Sequence, residues 1–313
     1  DMQQLLEEAA HQPILPELSE SEQSSKNEEQ ISNQTKENEQ SKEELPKAEP
    51  VHTEKMSQAA LQAQHEFILT RAYLPLMKLN EGEKLYFYRC TAKKVTVGYG
   101  SNIQDNPNLL KGVTVYLNKT PLSDTQRNDF LKNCTSMSDT DLKKYTITRQ
   151  DAEKMALKST AQCVLDLKQV PSLKYDLLPL SMQLMCLDIA YNVGKGGFLK
   201  YQNFCKWLNA GNFKKALSES TVYTDVKTHK VNQFREDRKQ LLFEIHNCIA
   251  SGNYQSCQAV LDHIKKTTKK ANPCVYKLLH NKTENSTAKN IIFFALVDDR
   301  NNKKALLSTR VAV

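Results

Sequence analysis

Residues 178–198, LPLSMQLMCLDIAYNVGKGGF, constrain the fold more than any other stretch. Pro179 suits a first helical turn, where its missing N–H costs nothing. Beyond it Met182, Met185, Cys186, Ile189, Ala190 and Val193 recur at helical spacing. Leu184 and Leu187 make the other side apolar as well. A helix that is apolar all round has to be enclosed by other elements. Gly194, Gly196 and Gly197 end it. The chain must therefore supply partner helices, and several stand in sequence around this one. In 147–167, Thr148 and Asp151 form an N-terminal capping pair, and Ala152, Met155, Ala156, Ser159 and Cys163 make one stripe. Residues 204–220 read as two short helices hinged at Asn209, Ala210 and Gly211, and 232–245 read as a further helix. Residues 54–73 read as a helix that Pro75 breaks.

Strand patterns are few. In EGEKLYFYRCTAKKVTVGYG, residues 81–100, Leu85 and Phe87 alternate with Tyr86 and Tyr88. Val95, Val97 and Tyr99 alternate with Thr96, Gly98 and Gly100, which puts Thr96 on the face opposite the valines. The polar residues 91–94 are short enough to turn between them. A helix end and a hairpin would thus aim the carboxylate of Glu81, the thiol of Cys90 and the hydroxyl of Thr96 at a shared space. Residues 103–146 hold Pro107, Gly112 and Pro121, with a strand pattern at 113–117. At the far end a helix over 252–270 precedes VYKLL, IIFFALVDD and ALLSTRVAV, which predict two or three strands around a polar turn at 300–304. The fold class is α+β and mostly helical.

Glu81, eight residues, Cys90, five residues, Thr96 resembles the catalytic segment of the phage-type, T4-lysozyme-like glycoside hydrolases, whose pattern is Glu, eight residues, Asp or Cys, five residues, Thr. Gly82 and the Gly98-Tyr99-Gly100 run match too. The resemblance resumes at 147–167, at the buried helix 178–198 and at NQFREDRKQLLFEI, and covers roughly residues 70–248. It implies a two-lobed fold with a small hairpin lobe and a larger helical lobe, the cleft lying between them. It implies a muramidase that hydrolyses the β-1,4 bond between N-acetylmuramic acid and N-acetylglucosamine in peptidoglycan, with inversion and without a cofactor. By resemblance Glu81 is the general acid, Cys90 and Thr96 support water attack, and Arg235 pairs with Glu81; Arg238, one turn on, is the alternative partner. Cys90 departs from the T4 pattern, since an ordinary thiol with pKa about 8.5 is a poor base at neutral pH. Residues 103–146 then form an insertion beside the hairpin lobe, serving as padding or as a substrate contact. The domain reading is an acidic tether over 1–53, a catalytic domain over 54–250, and an appendage of helix and short strands over 251–313.

Charge divides the chain. Residues 1–50 carry 13 acidic and 4 basic side chains, a net of −9, without an aromatic residue, so they cannot bury a core. The remainder, 51–313, carries 39 Lys and Arg against 23 Asp and Glu, or +16. A basic cleft enzyme working on anionic peptidoglycan accounts for that surplus, with a generally lysine-rich composition as the competing account. No zinc-finger spacing, RNA-binding signature or phosphate loop accompanies it, so no nucleic-acid partner is expected, and no metal site. Eight scattered cysteines, none in a CxxC, read as core thiols at 163, 186 and 205, with a bridge left open among Cys248, Cys257 and Cys274. No run of 18 apolar residues predicts a membrane span. The acidic tether and the lack of a signal-peptide pattern favour delivery by phage, secretion system or fusion, action in the periplasm or on the wall, and a delivery partner upstream of Asp1 or an immunity protein as further partners. Two alternatives to a bacteriolytic enzyme remain: a catalytically silent wall-binding module, and a structural piece of a secretion or injection machine.

Overall fold

A computed structural model describes residues 58–225, 227–252 and 256–310, so the predicted tether lies outside the described residues. The first helix, α1 (Gln58–Glu81), runs straight through Pro75 instead of breaking there. Proline has no N–H to offer the carbonyl four residues back, which is Arg71. The side-chain amide of Asn290 donates to that carbonyl at 3.2 Å in its place. Leu69, Tyr73 and Met77 bury completely along one face. Gly82, at φ +68°, turns the chain out of the helix, and its N–H closes the last turn on Lys78 O at 3.1 Å. Glu81 is therefore the last residue of a long, well-anchored helix.

The small lobe is an antiparallel sheet of six short strands in the order β3-β2-β1-β6-β4-β5. Its strands are β1 (Lys84–Arg89), β2 (Val95–Gly98), β3 (Ser101–Asn102), β4 (Tyr116–Leu117), β5 (Thr120–Pro121) and β6 (Tyr145–Thr146). The hairpin β1–β2 pairs Tyr88 with Thr96 and Arg89 with Val95. Val95 and Val97 bury toward the core, and Thr96 lies on the other face, as the alternation predicts. Residues 103–146 extend this same sheet. Thr146 bridges Tyr86 of β1 to Tyr116 of β4, and the rings of Phe87, Phe130 and Tyr145 pack against one another. The strand expected over 113–117 is confined to its last two residues. Two short helices, α2 (Asp124–Asn133) and α3 (Asp139–Leu142), fill the insertion. Arg89 ties it to the hairpin through Asp139 at 2.5 Å and the carbonyls of Thr135 and Met137 at 2.9 and 2.7 Å.

The helical lobe surrounds α5 (Leu180–Phe198), whose residues from Leu180 to Ala190 are all buried. It is enclosed by α1, α4 (Arg149–Lys168) and α8 (Gln233–Ser251). Thr148 caps α4 as predicted, accepting from the Asp151 N–H at 3.0 Å and donating to its carboxylate at 2.9 Å. Gly194 leaves helical geometry at φ 71° and ψ 170°, inside the glycine run expected to stop the helix. The hinge at 209–211 joins α6 (Gln202–Asn209) to α7 (Phe213–Ser218), and a two-stranded ribbon, β7 (Tyr223–Asp225) with β8 (Lys230–Val231), leads into α8.

The expected β appendage over 251–313 is corrected. The described residues from 256 to 310 form α9 (Cys257–Ala271), α10 (Pro273–Leu278) and α11 (Lys282–Arg310), with no strand among them. VYKLL falls in α10 and its end, and IIFFALVDD falls inside α11. Ala288, Ile291, Ile292, Ala295 and Leu296 bury while Phe293 is exposed, which is the face of a helix and not the alternation of a strand. Helix α11 packs on α1, α9, α5 and α8, so these helices belong to the large lobe. Among the described residues no helix is long and apolar enough to cross a membrane, and no group of three or more His, Cys, Asp or Glu could hold a metal ion.

Candidate active site

Glu81 leaves α1 with its side chain 18 % exposed, facing the hairpin on one side and α8 on the other. The hairpin admits it because Gly100, at φ +79°, has no side chain. A Cβ there would stand 3.1 Å from Glu81 Oε2. On the other side Arg235 Nη2 donates to Glu81 Oε1 in a short contact. Asn232 caps α8, its side-chain oxygen accepting from the Arg235 N–H at 3.4 Å, so Arg235 occupies the first turn and is presented toward α1. Of the two arginines weighed from sequence, Arg235 makes the contact with Glu81. Arg238 instead binds Glu284 and Asn80.

Asp188 was not singled out by the sequence reading, and it completes this cluster. It lies on α5, 1 % exposed, and accepts from Arg235 Nη1 at 2.6 Å, from Asn80 Nδ2 at 2.7 Å and from the Tyr73 hydroxyl at 3.4 Å. A signal existed. Asp188 is the single charged residue between Leu180 and Val193, in a helix expected to be buried on every side. A buried charge in such a place requires a partner of opposite sign. Arg235 is 2 % exposed and answers two carboxylates. Burial works against its charge, but Asp188 and Glu81 outweigh burial and hold the guanidinium above its usual range. Its Nε is buried and meets no acceptor among the described residues.

Burial pushes the Glu81 carboxyl above the ordinary carboxylate range, Arg235 opposes that through charge and hydrogen bond, and Asp188 adds to it. The rise favours the protonated acid, the form that can donate. Arg235 and Asp188 therefore pull the same carboxyl in opposite directions while fixing its place.

On the hairpin the arrangement is sparser. Cys90 is half-buried at the end of β1, in a turn closed by Cys90 N–H to Lys94 O at 3.0 Å and Lys93 N–H to Cys90 O at 2.8 Å. Thr96 is 2 % exposed, and its hydroxyl donates to Lys94 O at 3.0 Å. Tyr88, the cross-strand neighbour of Thr96, links the two sides. Burial raises its hydroxyl to about 12, and the charges of Glu81 and Cys90 add to the rise, so it lies within electrostatic reach of both. Tyr191 of α5 donates to Tyr99 O at 2.8 Å and Tyr99 donates to Glu83 at 2.7 Å, pinning the hairpin to the helices beside Glu81.

Residues 78–240, a little over half of the chain, match a family model described as Phage lysozyme. The matched span contains Glu81, Cys90, Thr96, Asp188, Arg235 and Arg238, and ends before the three C-terminal helices. No curated protein matches the chain.

Proposed function

The chain belongs to the phage lysozyme family, glycoside hydrolases that cleave peptidoglycan, and from that premise we propose a muramidase in which Glu81 is the general acid. The bond it cuts is the β-1,4 link between N-acetylmuramic acid and N-acetylglucosamine. The observation that carries this reading is the Glu81 carboxyl itself: mostly buried, raised toward its protonated form, and locked by Arg235. Protonating the glycosidic oxygen requires a carboxylic acid whose protonated form is favoured and whose direction is fixed; burial raises Glu81 toward that form and Arg235 fixes its place.

Water attacks from the hairpin side, giving inversion. Thr96 spends its proton on Lys94 O, which leaves the lone pairs of its oxygen to accept from the attacking water. Cys90 stands at the same wall, and its thiol takes the place where a carboxylate would assist that water or the developing cation. The leaving oxygen thus takes its proton from Glu81 on one side, while the positive charge developing at the anomeric carbon is met by water and small polar groups on the other.

Clearing of permeabilised Gram-negative cells tests the activity, and NMR of the first-formed sugar anomer tests the stereochemistry. Lysis with a new reducing end at N-acetylmuramic acid in the α configuration is the expected result. Binding to purified peptidoglycan without any new reducing end would assign the chain to the silent wall-binding reading instead.

A further inference from the structure

Glu284 stands outside the segment that matches the family, yet it grips an arginine next to the Glu81 cluster. Arg238 Nη2 donates to Glu284 Oε1 at 2.5 Å, and its Nε lies 3.2 and 3.3 Å from the two oxygens of the same carboxylate. Both residues are buried. Arg238 Nη1 donates to Asn80 Oδ1 at 2.8 Å. That bond settles which way the Asn80 amide faces: with its oxygen taken, it presents Nδ2 to Asp188 Oδ1 at 2.7 Å. Asp188 binds Arg235, and Arg235 binds Glu81. The chain of contacts runs from Glu284 on α11, through Arg238 on α8, Asn80 on α1, Asp188 on α5 and Arg235 on α8, to Glu81.

We propose that Glu284 is a positioning residue for the cleavage reaction, and that the C-terminal helices are a structural part of the active site which fixes the acid through this relay. The proposal rests on the reading of Glu81 as general acid. Helix α11 is built to deliver the carboxylate. Asn281 Oδ1 accepts from the N–H groups of Thr283 and Glu284 at 3.0 and 3.2 Å, which caps the helix start and sets Glu284 in its first turn. The positive end of a helix favours an ionised carboxylate there. One turn and a half on, Asn290 binds Arg71 O, so α11 grips α1 as well as Arg238.

Without Glu284, Arg238 becomes a buried cation lacking its acid, a costly state that a nearby anion relieves. Asn80, which Arg238 already binds, leads to one such anion, Asp188, which shares Arg235 with Glu81. Arg238 would turn toward it, release the Asn80 oxygen and disturb the geometry in which Arg235 holds Glu81. Its added positive charge would also favour ionised Glu81. The other groups facing Glu81, namely Arg235, Asp188, Tyr73, Tyr88 and Tyr191, are unchanged by the substitution.

The test compares full-length wild type with Glu284→Gln, Glu284→Asp and the double variant Glu284→Gln/Arg238→Met. Three readouts are taken: kcat and KM on peptidoglycan, the pH–rate profile, and the NMR titration of the Glu81 carboxyl carbon, which needs no turnover. Glu284→Gln should lower kcat about tenfold, short of the ~100-fold that a full 1 Å misplacement costs, with KM unchanged. Its alkaline limb and the Glu81 titration should both move to lower pH. In the double variant the titration should return toward wild type, because the unpaired cation is gone, while kcat stays low because Asn80 has lost its orienting donor. Glu284→Asp, which keeps the charge and the fold, should lower kcat without moving the titration. Folded Glu284→Gln with wild-type kcat and titration overturns the proposal; if that variant does not fold, wild-type kcat in Glu284→Asp does so. Because the carboxyl titration is read apart from activity, an active Glu81→Gln would sink the general-acid reading by itself, whatever Glu284 does.

Discussion

The two walls of the candidate site, the helical side and the hairpin side, are built on different principles. On the helical wall, Glu81, Arg235, Asp188, Asn80 and Arg238 hold one another through charge-assisted hydrogen bonds between three helices, nearly all out of water. On the hairpin wall, Cys90 and Thr96 are placed by backbone: a turn, a strand register and a carbonyl that accepts the hydrogen bond of the Thr96 hydroxyl. A protonated acid must sit at one point and keep one protonation state, which takes opposed charges in a dry setting. A water-holding wall needs only small polar atoms at a distance that leaves room. The difference predicts that substitutions on the helical wall are costly and visible in pH profiles, and that those on the hairpin wall are milder.

The largest expected effect is Glu81→Gln. An amide cannot give a proton to a leaving oxygen, and general acid catalysis is worth about 10²–10⁴-fold. Lysis rates should fall by that range while peptidoglycan binding persists. Retention of more than about a tenth of the activity would end the general-acid assignment.

Next come the two groups that pull on Glu81 in opposite directions. Arg235→Met leaves Asp188 buried without its cation, and breaking such a pair costs about 3–5 kcal/mol of stability, measured by chemical denaturation. It also removes the force favouring ionised Glu81, so the acid stays protonated to higher pH and the alkaline limb moves up. Asp188→Asn removes the negative charge that raises Glu81, so the limb moves down. Wild-type activity is lost as pH rises through the elevated Glu81 value. Limbs shifting in the same direction in the two variants, or not at all in folded protein, would contradict the opposed-charge account of this wall.

Gly100 is where the walls touch. Its φ of +79° is a region other residues enter at a cost of about 1–2 kcal/mol. In Gly100→Ala the new methyl would lie 3.1 Å from Glu81 Oε2, so the carboxylate must give way by a few tenths of an ångström. Activity should drop about tenfold, less than in Glu81→Gln, with a lower Tm. A stability loss with full activity would show that Glu81 is held from the helical side alone.

Much of the helical wall was readable because its signals are local or periodic. An apolar pattern on every side allows only a central α5, and the spacing from Glu81 to Thr96 sets a helix end against a hairpin. Arg235 was reached through the resemblance of NQFREDRKQLLFEI to the family's last helix, with Arg238 as the alternative, and Asp188 could have been reached from the sequence itself, as a lone acid in a buried run. Other features depend on partners distant in sequence. Pro75 continues a helix because Asn290, more than 200 residues later, accepts the role of the missing N–H. IIFFALVDD is short and apolar enough for either structure, and the surfaces of α1, α9, α5 and α8 that pack against α11 select a helix. Glu284 was invisible for the same reason: nothing near it in sequence announces Arg238.

The smallest and most discriminating effect is at Cys90, because the hairpin wall places it without locking it. If its thiol assists the attack, Cys90→Ala should lose activity several-fold while Cys90→Asp, with the commoner group at this position, keeps it. The turn around residue 90 is made by backbone bonds to Lys93 and Lys94, so neither change should disturb the fold. A half-buried thiol that a reagent reaches also oxidises to sulfenic acid or a mixed disulfide. Mild peroxide should therefore silence wild type, reductant should restore it, and Cys90→Asp should ignore both. Buried thiols such as Cys186 and Cys205 are shielded from the reagent, whereas the exposed Cys274 and the half-buried Cys163 and Cys257 are not, which makes the triple variant Cys163→Ala/Cys257→Ser/Cys274→Ser the background for this series. Equal activity in Cys90→Ala and Cys90→Asp, or equal peroxide sensitivity in wild type and Cys90→Asp, would remove Cys90 from the chemistry. The hairpin wall would then reduce to Thr96 and the water it holds.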